Sequence, residues 1–294
     1  MAVYMQAKPA ESAMLNLKKI LLPVDFSEHG AGAARYAGAL ARHFRAQLTL
    51  LHVNPTTAGA REFSGPIDTG WITALESQRR RDLDTYQATE FRDVALLRVV
   101  LTGDPAHLIV EHAHAGKTDL IVMPTRGYGL FRRFLLGSVA AKVLHDADCP
   151  VWTGVHMEVT APANGKVINH ILCAIDNGPS SERVLDWAWN FAGEFNAVIT
   201  VVHAARDFPE AVFDPDWQTG IAEEARKRVQ CFFSKTGARG EIVIEPGEPA
   251  RVVDAAATRL HADLVVIGRN PAAGRRRLHT YSIIQDSPCP AVSV

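Results

Sequence analysis

The chain repeats one order of short sequence segments in its two halves, and this repeat constrains the fold more than any other feature. An apolar run ends at Asp25 in the first half and at Asp176 in the second, and another ends at His52 and at His203. The members of each pair are 151 residues apart. Gly-acid-Pro-Ala, Asp-Leu-aliphatic and Cys-Pro segments then follow in the same order in each half. Five matched segments in one order indicate a tandem duplication.

The length of the chain agrees with two domains. It has 294 residues, whereas one compact domain usually has about 100–150. The boundary is expected within residues 156–167, which include Ala, Pro, Asn and Gly residues typical of a loop at 161–165. We therefore expect a disordered arm over residues 1–16, domains over 17–155 and 168–294, and a linker over 156–167.

Composition and charge argue against several classes of partner. The formal net charge is −1, so no global positive field attracts DNA or an anionic membrane. The four cysteines form no Cys-x-x-Cys pair, which disfavours a zinc site or a disulfide framework. No apolar run reaches the length of a signal peptide or a membrane span. We expect a cytoplasmic protein that binds neither nucleic acid nor membrane.

Short apolar runs alternate with helical segments, and this pattern is typical of a parallel sheet covered on both faces. In the first half it predicts strands near 19–24, 47–53, 96–101, 119–124 and 150–155, and helices near 28–45, 69–91, 105–115 and 137–146. The predicted fold class is therefore α/β, with two tandem doubly wound domains of five parallel strands each. Right-handed crossovers place the first and fourth strands at the switch in strand order, so Asp25 and the loop after Met123 should face one crevice.

The loop after the fourth strand of the first half has the residues that a polyphosphate needs. Gly127 and Gly129 allow the backbone to approach a ligand closely. Gly137 and Ser138 begin the next helix, whose free N–H groups attract anions. Three arginines could neutralise phosphate charge: Arg126, Arg132 and Arg133. The chemistry alone leaves open a second interpretation, in which this is a surface loop with solvated arginines.

These segments resemble the universal stress protein family, and specifically its tandem-repeat members. The resemblance covers nearly all of residues 17–155 and, more weakly, 168–294. It rests on Pro23–Ser27, Leu51–Val53, Gly103–Pro105, Gly127, Gly137–Val139 and Cys149–Val151. It implies an adenine nucleotide alpha hydrolase-like fold and a stress-response protein that binds ATP, with magnesium present only together with ATP.

The family's ATP-binding members have a loop of the form G-x2-G-x9-G-[ST], and the first half matches it with one departure. Gly127 takes the second glycine and Gly137–Ser138 the closing pair, but Pro124 replaces the first glycine. By resemblance, Asp25 and Val53 border the adenine and ribose. The complete set that the resemblance assigns to ATP is Pro23, Val24, Asp25, Val53, Met123, Pro124, Thr125, Arg126, Gly127, Gly129, Gly137, Ser138 and Val139, of which Gly127, Gly137, Ser138 and Val139 hold the phosphates.

The second half departs further from the family's loop. Its loop is four residues shorter, with 25 steps from Pro124 to Cys149 but 21 from Gly268 to Cys289. Arg277–Leu278 stands where the first half has the Gly-Ser pair that begins its last helix. The arginines of this loop could capture a phosphate, but such a run is more typical of a solvated helix entrance. We therefore expect at most one ATP per chain.

The sequence favours binding over catalysis. It contains no P-loop, no Gly-x-Ser-x-Gly segment and no credible nucleophile–base–acid set. His52 and His203 end inner strands and are expected to be packed or capping. The leading hypothesis is an ATP-binding switch or scaffold with little or no turnover and an unidentified protein partner. A nucleotide-independent interaction scaffold is the alternative, and a slow ATPase or phosphotransfer enzyme is a weaker one.

The last strand of each half bears on assembly. Residues 151–155 and 290–294 are each expected to form an exposed apolar edge, which tends to pair with another strand. Two such edges in one chain can satisfy each other. We therefore predict an intramolecular pseudo-dimer of the repeats, with pairing of two chains as a further possibility.

Overall fold

The computed structural model describes residues 15–55, 69–126, 136–155, 157, 168–176, 178, 180–205, 215–236, 240–269 and 274–294. The chain divides into two compact units, whose main segments run from Leu17 to Thr153 and from Ala163 to Val294. The arm over residues 1–16 and the linker over 156–167 fall almost entirely outside the described residues.

The first unit is a sheet of five described parallel strands. These are β1 (Lys19–Pro23), β2 (Gln47–Pro55), β3 (Ala95–Gly103), β4 (Leu120–Val122) and β5 (Val151–Thr153). Its described helices are α1 (Gly30–Phe44), α2 (Thr69–Thr85), α3 (Pro105–Gly116) and α4 (Ser138–Asp146). The strand order is β3-β2-β1-β4-β5, and every neighbouring pair is parallel.

The second unit repeats this arrangement. Its strands are β6 (His170–Ile175), β7 (Val198–Ala205), β8 (Glu241–Pro246), β9 (Leu264–Ile267) and β10 (Ala291–Ser293). Its described helices are α5 (Ser181–Phe195), α6 (Pro215–Thr236), α7 (Pro249–Arg259) and α8 (Gly274–Asp286). Within this unit the order is β8-β7-β6-β9-β10, again with parallel pairs. The expected fold class, two tandem doubly wound α/β domains, is confirmed.

The switch in strand order lies where the sequence predicts it. Ile20 of β1 is opposite Leu48 of β2 on one side and Leu120 of β4 on the other. These three side chains are at most 1% exposed, because helices cover the central strands on both faces. The carboxyl ends of β1 and β4 therefore border one crevice.

The Gly-acid-Pro-Ala segments are helix caps. The side chain of Asp104 precedes α3 and accepts a hydrogen bond from the backbone N–H of His107 at 2.8 Å. Glu248 caps α7 in the same way, through the N–H of Arg251 at 3.1 Å. A proline follows each acid in the first turn, where its missing N–H costs no intrahelical bond. These segments fix where the two helices begin.

The Asp-Leu-aliphatic segments join neighbouring strands. Asp119 precedes β4, and its Oδ2 accepts hydrogen bonds from the backbone N–H groups of Lys18 and Lys19 at 2.7 and 2.8 Å. Asp263 precedes β9 and accepts in the same way from two N–H groups at the start of β6, at 2.7 and 3.0 Å. Each carboxylate thus aligns the starts of the two strands that flank the switch in strand order.

One predicted boundary differs from the structure. The helix expected over 69–91 ends at Thr85, and turns follow it to residue 93. Gln87 has φ 46°, in the left-handed region, so the backbone cannot continue as an α-helix there. The chain therefore leaves the helix at Tyr86, and this matters for the crevice described next.

Candidate functional site

The crevice of the first unit is formed by the segments that follow β1 and β4 and by the start of α4. The backbone N–H of Val24 donates to Leu51 O at 2.8 Å, and the N–H of Met123 donates to Trp152 O at 3.0 Å. These bonds hold both segments against neighbouring strands just beyond the sheet. The same edge therefore carries the following residues expected from the sequence: Pro23, Val24, Asp25, Met123, Pro124, Thr125 and Arg126.

The carboxylate of Asp25 is oriented by the turn that follows it. Its Oδ1 accepts hydrogen bonds from the backbone N–H and the hydroxyl of Ser27, at 2.9 and 2.7 Å. Ser27 is buried, whereas Asp25 is only partly buried. The hydrogen bonds that the described residues donate to this carboxylate all go to Oδ1.

His52 supports the turn from below. Its Nδ1 lies 2.7 Å from Val24 O, and since a carbonyl only accepts, Nδ1 carries the proton and donates. Its Nε2 lies 3.1 Å from the side-chain Oδ1 of Asn54. In the second unit His203 Nδ1 lies 2.9 Å from Ile175 O, the equivalent bond. Both histidines are buried in supporting positions, which confirms the expectation that they are packed or capping.

Phe26, His52 and Tyr86 form an aromatic wall beside the turn that follows β1. The Phe26 ring lies 4.7 Å from the His52 ring and 5.8 Å from the Tyr86 ring, between ring centroids. The guanidinium of Arg79 lies 5.5 Å from the centroid of Phe26, a cation–π distance. Phe26 has φ 61°, a conformation that costs energy for a residue other than glycine and tends to occur at functional sites.

Tyr86 connects this wall to Asp25. Burial and, to a smaller extent, the negative charge of Asp25 raise the pKa of Tyr86 to about 12. Its hydroxyl oxygen would lie 2.8 Å from a Cβ added to Gly30, at the first residue of α1. Sequence reasoning missed Tyr86 and Arg79, because no periodicity links the end of α2 with the turn after β1.

Helix α4 begins without a side-chain cap from its N-cap residue. Gly137 is the N-cap residue and provides no side-chain cap, so the first N–H groups of the helix, from Ser138 and Val139 onward, are not used by one. The N–H of Gly137 donates to Thr125 O at 2.9 Å, which ties the helix start to the segment after β4. A Cβ added to Gly137 would lie 3.2 Å from Thr125 O, closer than most real contacts of this kind.

The remaining predicted residues lie in several environments. Val53 is 7% exposed on β2, Ser138 is exposed and Val139 is partly buried. Gly127 and Gly129 lie outside the described residues, as do Arg132 and Arg133.

In the second unit, side chains at the start of the first helix contact the segments that follow β9 and β10. A Cβ added to Gly268, which follows β9, would lie 3.0 Å from Ser180 Oγ and 3.2 Å from Val184 Cγ2. The Nη2 atom of Arg183 donates to the backbone oxygens of Val294 and Arg269 at 2.8 and 3.3 Å. These contacts tie the start of α5 to the segments that follow β9 and β10.

The first unit has smaller residues at the equivalent positions. With the offset of 151 residues, Arg183 corresponds to Gly32 and Val184 to Ala33. Both small residues are buried in α1. Asp176, the counterpart of Asp25, is exposed and accepts from the N–H of Gly178 at 2.7 Å. The two crevices therefore differ in their first helices as well as in their loops.

One expectation for the second loop is wrong. The sequence comparison places the start of the last helix at Arg277–Leu278, but α8 begins at Gly274. Residues 123–137 separate β4 from α4, whereas only 268–273 separate β9 from α8. The shorter connection brings the helix start forward by one turn, about 6 Å along its axis.

Neither a metal centre nor a membrane-spanning helix is present in the described parts of the chain. In those parts of the chain, no group of three or more His, Cys, Asp and Glu side chains is placed to hold a metal ion. Of the helices that the structure describes, none combines the length and apolarity needed to cross a bilayer.

Comparisons with known proteins agree across both units. A family model described as the universal stress protein family matches residues 16–153 and 168–294. The chain is 34% identical over 139 residues to universal stress protein MJ0531 of Methanocaldococcus jannaschii, covering 46% of this chain and 79% of that protein. It is 24% identical over 266 residues to a universal stress protein of Mycolicibacterium smegmatis, covering 87% and 88%. A solved universal stress protein of Archaeoglobus fulgidus shares the fold, with a TM-score of 0.69 and 22% identity, covering 95% and 97%.

Proposed function

Because the chain belongs to the universal stress protein family, we propose that it is a cytoplasmic switch or scaffold that binds one ATP in its first repeat, with little or no turnover. The observation that carries this proposal is the meeting of an oriented carboxylate and an uncapped helix start at one sheet edge. Asp25 has one oxygen fixed by Ser27, and α4 begins at Ser138 without a side-chain cap. A nucleotide needs both, because its ribose donates hydrogen bonds and its phosphates accept them.

The proposed site uses the residues on both sides of the crevice. Asp25 Oδ2 accepts from the ribose, and the N–H groups of Ser138 and Val139 donate to the phosphates. The other proposed contacts come from the segments after β1 and β4, from Val53 and from the loop glycines: Pro23, Val24, Met123, Pro124, Thr125, Arg126, Gly127, Gly129 and Gly137. Magnesium arrives with ATP, bound to the phosphates.

The second repeat takes no nucleotide in this proposal. Arg183 and Val184, which contact the segments after β9 and β10, replace Gly32 and Ala33 of the first repeat, and we expect them to restrict access to the second crevice. The start of α8 is also displaced by one turn relative to the start of α4. The expected stoichiometry is therefore one ATP per chain.

Gly137→Val tests the site directly. The added side chain meets Thr125 O, where a Cβ alone would lie at 3.2 Å, and so disturbs the approach of α4 to the phosphates. Calorimetry should give one ATP per wild-type chain and a loss of affinity of at least about 100-fold in the variant. Gly193→Val is the matched control, since a Cβ added there meets nothing within 4 Å. Two equivalent sites per chain, or unchanged binding by Gly137→Val, would contradict the proposal.

We expect hydrolysis to be slow or absent. Among the described residues, no histidine or second carboxylate is hydrogen-bonded to Asp25 to form a relay for activating water. Typical enzymes turn over at about 10 per second. Steady-state phosphate release at such a rate, abolished by Asp25→Ala, would show that the protein is an enzyme instead.

One feature favours a second candidate function. Pro124 stands where the family's ATP-binding loop has its first glycine, and it supplies no N–H and a fixed φ. A nucleotide-independent interaction scaffold fits that substitution. If the wild-type chain binds no nucleotide at millimolar ATP and releases none on denaturation, this second function replaces the first.

Assembly remains a prediction. We propose that the outer strands β5 and β10 pair within one chain, and that two such chains can associate further. Small-angle scattering and light scattering of the purified chain test both steps. A particle whose two repeats are extended and separate would contradict the intramolecular pairing.

A further inference from the structure

Asn54 has a buried amide that lacks one hydrogen bond. The residue is 4% exposed, on β2 immediately before its last residue. Its Nδ2 atom has no hydrogen-bond partner in the part of the chain that the structure describes. A buried amide is normally satisfied, because leaving one polar group unpaired in the interior is costly. Such an exception suggests a partner that arrives from outside the protein.

The residues around Asn54 show from which direction such a partner can come. On one side lies β3, where Asn54 is opposite Thr102, whose hydroxyl already donates to Glu76 at 3.0 Å. On the other side β1 has ended at Pro23, opposite Leu51. Past that point the chain forms the turn that carries Asp25. The side chain of Asn54 projects from the same sheet face as His52, whose ring packs on Phe26 in the turn that carries Asp25.

The neighbouring histidine decides which amide atom lacks a partner. His52 Nδ1 must donate to Val24 O, so Nε2 of the neutral ring is an acceptor. It faces Asn54 Oδ1 at 3.1 Å, which is also an acceptor. The two amide atoms have nearly the same shape, and exchanging them lets Nδ2 donate to His52. The unpaired atom is then Oδ1, an acceptor that needs a donor.

We propose that Asn54 Oδ1 accepts a hydrogen bond from the exocyclic amino group of an adenine base in the first crevice and so selects adenine. This inference rests on the proposed function. Adenine carries a donor at its 6-position, whereas hypoxanthine and guanine carry a carbonyl acceptor there, which an amide oxygen repels. The base enters past the half-exposed ring of Phe26, which packs on His52 and has a strained backbone.

The second repeat provides the natural substitution. With the same offset of 151 residues, Ala205 of β7 stands at the position of Asn54. Asn54→Ala therefore gives the first repeat the residue that an equivalent strand already contains. Asn54→Leu removes the polar atoms and keeps the size, and it serves if the alanine variant does not fold. Thr102→Val, which removes the neighbouring hydroxyl on β3, is the matched control.

The experiment measures the affinity of each protein for ATP and for inosine triphosphate by calorimetry. The wild type should prefer ATP by about tenfold, close to one hydrogen bond in magnitude. Asn54→Ala should lose about tenfold for ATP and change by less than about twofold for inosine triphosphate, while Thr102→Val keeps the wild-type preference.

Three outcomes would overturn the inference and leave the proposed function standing. The wild type binds both nucleotides equally, or Asn54→Ala leaves ATP affinity unchanged, or it weakens both nucleotides equally, as a purely structural role would. A wild-type chain that binds no nucleotide at all overturns the proposed function together with this inference.

Discussion

The two repeats share a scaffold but differ in their crevices. In both, a buried histidine bonds to the carbonyl at the end of the neighbouring strand: His52 to Val24 O and His203 to Ile175 O. In both, an aspartate aligns two strand starts and an acidic residue caps the helix that follows the third strand. The repeated sequence segments therefore report on the scaffold, and their presence in a repeat does not show that its crevice can bind a ligand.

The first helices of the two repeats differ in a few side chains. Arg183 bonds to two backbone oxygens beyond the sheet of the second repeat, and Val184 packs against Gly268. Glycine and alanine stand at these positions in α1. We therefore expect access to the crevice at the switch in strand order to depend on the first helix, while the sheet stays the same.

The largest effect on ATP affinity is expected from placing these residues of the second repeat in the first repeat. Gly32→Arg with Ala33→Val copies the residues of α5 into α1, so that side chains occupy the crevice and exclude the ligand. ATP affinity should fall by at least about 100-fold in calorimetry. Ala31→Glu copies a third residue of the second repeat, from the exposed position of Glu182, and is the control.

A folding measurement and a second variant decide how to interpret that result. Circular dichroism must show that the double variant is folded, and Ala33→Val alone serves if it is not. Unchanged ATP binding by a folded variant would mean that the first helix does not determine access. The difference between the repeats would then depend on the loops alone.

The sequence predicts the scaffold well because the scaffold depends on short sequence segments that occur in both repeats. Apolar runs and caps fix the strands and helices, and the handedness of crossovers then places β1 beside β4. That placement alone brings Asp25 and Met123 to one edge. The end of α2 at Thr85 was missed because it depends on the left-handed backbone of Gln87, which no composition signal marks.

The crevice itself was only partly predictable. The aromatic wall joins Phe26 to Tyr86 and Arg79, which are more than fifty residues away in sequence and share no pattern with it. The hydrogen bonds of Arg183 to Arg269 O and Val294 O were also missed, because the loop sequence says nothing about the first helix. Contacts between elements decide these features, and one sequence does not reveal them.

A smaller effect, on stability alone, is expected at the shared scaffold. Asp119→Ala and Asp263→Ala each remove a carboxylate that accepts two backbone N–H groups at the start of a strand. Each should lower the free energy of unfolding by about 1–3 kcal/mol, as measured in urea. Asp119→Ala should leave ATP affinity within about twofold, since it lies at the opposite end of β4 from the crevice. A large loss of stability in one variant and none in the other would show that this aspartate does not have the same role in both repeats.

The smallest effect concerns the pH dependence of the first repeat. Burial and the charge of Asp25 raise the pKa of Tyr86 from its ordinary value of 10.0 to about 12. The folded state therefore holds the phenol proton more tightly than the unfolded state does. The stabilisation is fully present below pH 10 and is lost as the pH rises toward 12, amounting to at most about 3 kcal/mol. Tyr86→Phe should make unfolding in urea less sensitive to pH over this window.

Ultraviolet titration of tyrosinate provides the second measurement: Asp25→Asn should lower the highest tyrosine pKa, because it removes the neighbouring negative charge. If Asp25→Asn leaves that titration unchanged, the charge of Asp25 does not affect the Tyr86 phenol, and the two side chains do not interact electrostatically.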